Sequence, residues 1–164
     1  MSNYNLAEDA IITILETADI GGTNTGSTGN WATYLSMENF ARADAFIEIG
    51  TWNSGDDLDT CKLQQATDSS GTSVKDLTTS ASGGNYDTDN PVDADGNTVH
   101  ISIKAEDLDT DNGFTHIRVY VAEGGNSGVD NVSGAIIRSG AAHKRKELAG
   151  DASTGATVYV TPRS

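Results

Sequence analysis

Three aspartates at alternate positions, Asp107, Asp109 and Asp111 in the run DLDTDNG, have the spacing with which a helix-loop-helix calcium site begins. Such a site also needs Gly at its sixth position and Glu at its twelfth. Here the sixth is Asn112, the twelfth is Arg118, and both flanks read as strands. Asp93, Asp95 and Asn97 fail the same test, with Thr98 in the sixth position, so Asp87, Asp89, Asp93 and Asp95 read as a solvated acidic turn or an irregular loop site. Serine hydrolase chemistry requires a strained Gly-x-Ser-x-Gly turn, and none occurs. Zinc requires Cys and His at short spacing, whereas Cys61, His100, His116 and His143 are spread along the chain. His100 and His116 read as a packing pair facing each other across a hairpin, and Cys61, in phase with Leu63 and Gln65, reads as a buried strand thiol. With 24 acids in the chain, chance pairs of carboxylates are guaranteed, so glycoside chemistry cannot be inferred from their presence. The residues therefore predict no catalytic group, no metal and no cofactor, and a chain that is not an enzyme.

Charge narrows the partners. The 24 acids stand against 10 bases, giving a formal charge of -14 and a pI near 4.2, which opposes attraction to nucleic acid or to an anionic membrane. The bases are segregated: the first is Arg42, and Arg138, Lys144, Arg145 and Lys146 fall within nine positions. That cluster reads as a solvated turn or as an electrostatic contact to an acidic neighbour, including a second copy of this chain. The start MSNYNLAEDAIITILETADIGG lacks the basic head and long apolar run of an export signal, so the expectation is synthesis and folding in a cytoplasm. On that expectation the sequon Asn131-Val132-Ser133 carries no sugar.

The elements that must position these residues are strands. Eighteen Gly, abundant Ser, Thr, Asn and Asp, and only 6% aromatics suit short strands joined by polar turns. Alternation predicts strands over 10–17, weakly over 31–37, around Phe46 to Trp52, over 60–66, in TVHISIKAEDL and FTHIRVYVAE, in VSGAIIRSGAA and in ATVYVTP. The turn DTDNG predicts that the fifth and sixth of these form a hairpin. The whole predicts an all-β protein: a two-layer antiparallel β-sandwich, jelly-roll-like, over residues 31–164, with an extended N-terminal arm and flexible loop over 1–30. In that arm Ile11, Ile12, Ile14 and Leu15 form an apolar patch suited to docking by strand addition.

The stretches FIEIGTWNSGDDLDTCKLQQATDSSGT, VHISIKAEDLDTDNGFTHIRVYVAEG and IIRSGAAHKRKEL resemble small decoration, or cement, proteins that bind the outside of tailed-bacteriophage capsids. The resemblance spans about residues 35–148 and rests on pattern, with no catalytic signature in it. It implies a virion protein on the outer capsid surface, stabilising the shell by bridging capsomers. Its implied partners are the major capsid protein, met through Ile11, Ile12, Ile14 and Leu15, and neighbouring copies in a dimer or trimer, met through Arg138, Lys144, Arg145 and Lys146. The readings set against it are a tail, fibre or head-tail joining subunit, and a carbohydrate-binding or hydrolytic β-sandwich. The last lacks the expected aromatic platform, with only Trp31 and Trp52 as large rings.

Overall fold

The computed structural model describes residues 10–21, 29–52, 58, 60–77, 96–123 and 128–140. They build eight strands: β1 (Ala10–Asp19), β2 (Leu35–Ser36), β3 (Arg42–Ile49), β4 (Thr60–Ala66), β5 (Lys75–Asp76), β6 (Thr98–Lys104), β7 (His116–Ala122) and β8 (Asn131–Ser139). All pairings are antiparallel, in two four-stranded sheets of order β1-β8-β3-β6 and β2-β7-β4-β5. Among the described residues the only helical pieces are short 3-10 turns. The chain is all-β.

Alternation explains the strands. Ala43, Ala45, Ile47 and Ile49 of β3, Val99, Ile101 and Ile103 of β6, and Ile117, Val119 and Val121 of β7 are all buried, with polar or exposed side chains between them. One buried cluster draws on both sheets, joining Ile47 and Ile136 of the first to Leu63 and Val119 of the second. Cys61 is fully buried in it, as its strand phase requires.

Two expectations are corrected here. The strands around DTDNG are not a hairpin: β6 pairs with β3 in one sheet, while β7 pairs with β4 and β2 in the other. The residues AEDL, which alternation would leave in the strand, coil into a 3-10 turn over Ala105–Asp107. A second turn, Thr110–Asn112, ends at Gly113 with φ 82, and Leu108 and Phe114 on either side of it are buried. His100 and His116 therefore lie in different sheets. The second correction concerns the arm over residues 1–30. Across Ala10–Asp19 the chain is a full member of the first sheet, paired with β8 from Ala10↔Ser139 to Asp19↔Asn131. Its inward phase, Ile11, Thr13 and Leu15, is buried in the body it was expected to leave. The weak alternation of 31–37 resolves into a 3-10 turn, Gly29–Ala32, and the two-residue β2. Residues 1–9 and 22–28, the acidic positions 78–95 with Asp87, Asp89, Asp93 and Asp95, and the strand expected in ATVYVTP lie outside the described residues.

Candidate functional site

The outer phases of the first sheet put apolar side chains in water. Register aligns Ile14 of β1 with Ala135 of β8, Ala135 with Phe46 of β3, and Phe46 with His100 of β6, a row that crosses all four strands. Ile14 is 58% exposed and Phe46 37%. Phe46 is stacked on His100, ring centroids 4.3 Å apart and planes 3° from parallel. The aromatic pair thus presents a flat edge rather than two mobile side chains.

The row continues into an open groove of about 540 Å³ whose lining includes Ile14, Phe46, Gly134 and Ala135, with the exposed Glu16 and Glu48. Its shape follows from a bulge. Leu15 pairs with Gly134 but Ala18 pairs with Val132, so β1 carries one residue more than β8 across this interval and bends there. Gly134 is required at that point, because a Cβ would come within 2.3 Å of the Phe46 carbonyl oxygen. Beyond His100, Asp44 gathers the polar end of the face. Arg42 Nε and Nη2 donate to its two carboxylate oxygens at 2.9 Å each, and His100 Nε2 lies 3.0 Å from Oδ1. Burial alone would raise the Asp44 carboxyl, but hydrogen bonds from Arg42, His100 and Ser102, with the Arg42 charge, hold it below the usual carboxylate range.

The outer face of the second sheet is different in kind. Arg118 donates to Gln64 Oε1 at 2.8 and 3.0 Å, with its guanidinium 4.8 Å from the Tyr34 ring and 5.5 Å from that of Tyr120. Lys62 Nζ sits 2.7 Å from Asp76, which also accepts from Gln64 Nε2 at 3.0 Å. Polar groups there pair laterally with one another and leave water-facing charge; the first sheet sets the exposed Ile14 and Phe46 among its charged side chains.

The residues singled out in the sequence are dispersed. Strand alternation splits the expected docking patch: Ile11 and Leu15 are core, Ile12 is half-buried, and only Ile14 stands out in solvent. Strand addition to β1 is obstructed as well, since Asn30 Nδ2 donates to Ile14 O at 2.8 Å and Trp31 Nε1 to Glu16 O at 2.7 Å. Those side chains fill carbonyls that an added strand would need. Arg138, expected at a subunit contact, is 2% exposed. It occupies the inward phase of β8, reaches Ser36 O of β2 at 2.6 Å and lies 4.9 Å from the Phe40 ring, so it ties one sheet to the other. Lys144, Arg145 and Lys146 lie outside the described residues. Among the described residues no three His, Cys, Asp or Glu side chains group as a metal site. Comparison with family models, with curated proteins and with solved structures finds no match for the chain.

Phe46 was overlooked although its signal is in the sequence. In RADAFIEI it stands in the polar phase, between the buried Ala45 and Ile47. A large aromatic on the wrong phase of a strand is an exposed one. The contributions of Ile14 and Ala135 carry no such signal, because they meet only through the pairing of the first strand with the last.

Proposed function

We propose that this chain is a capsid decoration protein, a jelly-roll-like β-sandwich that binds the outer surface of a phage head and bridges neighbouring capsomers, together with neighbouring copies of itself. The observation that carries the proposal is the row Ile14, Ala135, Phe46, His100 on the outer face of the first sheet: exposed apolar and aromatic side chains aligned across all four strands, suited to contact with another protein surface. The strand order supports the architectural part. The orders 1-8-3-6 and 2-7-4-5, in which nearly every connection passes from one sheet to the other, support reading the fold as an eight-stranded jelly roll, an arrangement used in viral shells and in lectins. The fold is an analogy for function, and the exposed face supplies the specific argument.

The test is binding of the purified chain to expanded tailed-phage heads stripped of their surface proteins. The expected result is saturable occupancy at symmetry-related sites, weakened about tenfold or more in Ile14→Asp and Phe46→Asp, because each loses burial of its exposed apolar surface and places a charge in the contact. Absence of saturable binding by the parent chain overturns the proposal.

A further inference from the structure

The groove beside β1 has carbon on its walls and carboxylates at its margin, and no Lys or Arg lines it. An occupant that matches it is an extended segment with basic and apolar side chains. Within this chain six of the ten bases have partners elsewhere. Arg42 is on Asp44, Lys62 on Asp76, Lys75 on Asp109, Lys104 on Glu106, Arg118 on Gln64 and Arg138 on Ser36 O. The four other bases, Lys144, Arg145, Lys146 and Arg163, all belong to residues 141–164, the same segment that carries the apolar run ATVYV at 156–160. We propose that the groove is a peptide-binding site and that its ligand is the chain's own segment 144–160.

Three considerations support this occupant. The first is charge: Glu16 and Glu48 face a basic triplet in a molecule whose surface is otherwise acidic, so the contact relieves self-repulsion. The second is reach. β8 ends where Ser139 pairs with Ala10, and the groove lies at Gly134 and Leu15, about 15–20 Å along the strand at roughly 3.4 Å per residue. The residues from 141 onward cover that distance several times over at about 3.3 Å each. The third is concentration. A tethered segment of this length acts at an effective concentration of order millimolar, which exceeds that of neighbouring copies at micromolar protein, so the same chain wins over another. Because Asn30 and Trp31 fill the carbonyls of Ile14 and Glu16, the segment lies across the face and does not extend the sheet from that edge. This proposal concerns the free chain and does not depend on the shell-binding reading; a shell that uses the same face must displace the segment.

The experiment uses the full chain with p-benzoylphenylalanine in place of Phe46, irradiated as an equal mixture of ¹⁴N- and ¹⁵N-labelled protein, and the linked peptides are identified by mass spectrometry. Links from position 46 into residues 144–160, within light or within heavy chains only, are expected. Links elsewhere, mixed-isotope links showing a neighbouring copy as the occupant, or no links overturn the proposal. A second measurement is independent of that substitution. Trypsin should cut after Lys144, Arg145 and Lys146 about tenfold faster in Ile14→Glu than in the parent, at equal circular dichroism, and the parent should lose its protection as salt shortens the screening length below about 8–10 Å. Equal cleavage rates in parent and variant overturn the proposal.

Discussion

Arg138 illustrates how a residue's chemistry is decided by its strand phase. On an outward position it would be one more surface cation in a cluster; on the inward phase of β8 its guanidinium is desolvated and must find acceptors. It finds Ser36 O, 2.6 Å away in the opposite sheet, and the face of Phe40. Truncation removes a charge-assisted hydrogen bond and the buried packing of the side chain, so Arg138→Ala should destabilise the fold by about 2–4 kcal/mol, measured as a lower urea midpoint with little change in slope. The carboxylates of the two outer faces predict the acid response. At Asp44 burial works against ionisation, but Arg42, His100 and Ser102 outweigh it; at Asp76 burial is likewise outweighed by Lys62 and Gln64. Both carboxyls are held low in the folded chain, so over that interval the unfolded chain binds more protons and stability rises with pH. The stabilisation is present above the ordinary carboxylate value near 4 and is lost as pH falls through the lower folded values. Unfolding followed from pH 6 to pH 2 should show this loss, and Asp44→Asn with Asp76→Asn should flatten it.

At the scale of elements, β1 is a structural strand whose removal should be felt by the whole first sheet. Deleting residues 1–19 takes away Ile11 and Leu15 from the core and leaves the long β8 with a bare edge. The expected outcome is loss of cooperative thermal unfolding in near-ultraviolet circular dichroism, where a dispensable arm would leave the transition intact. The strands themselves were readable: β4 lies at Thr60–Ala66 as alternation predicts, and β6 and β7 bury the expected Val99, Ile101, Ile103, Ile117, Val119 and Val121. Their partners were not, because a period of two says which face a side chain takes and nothing about which strand lies alongside. Hence the false hairpin at DTDNG, where burial of Leu108 and Phe114 outweighed turn chemistry. The two-residue β5, Lys75–Asp76, is exposed on both positions and has no pattern to read. The same limit applies to the candidate site: Phe46 could be found from phase, while the groove depends on a bulge and on first-to-last pairing.

For the whole molecule, that pairing governs assembly. The central strands β3 and β8 are joined to β6 and β1 by long-range contacts, 50–62 residues apart in sequence for β3 with β6 and 112–129 for β8 with β1, and no described sheet pairing except that of β4 with β5 links consecutive strands. Loop closure must precede the gain from such contacts, so refolding by stopped-flow dilution should fall in the range of milliseconds to seconds; folding in microseconds would contradict the topology. The register Ala10↔Ser139 has a further use. Two positions near opposite ends of the described sequence stand about 5 Å apart in the sheet, and tens of ångströms apart once the chain unravels. Donor and acceptor dyes placed near them would exchange excitation strongly when β1 and β8 are paired. A single energy-transfer signal at one corner of the protein therefore reports, molecule by molecule, whether the first strand has found the last.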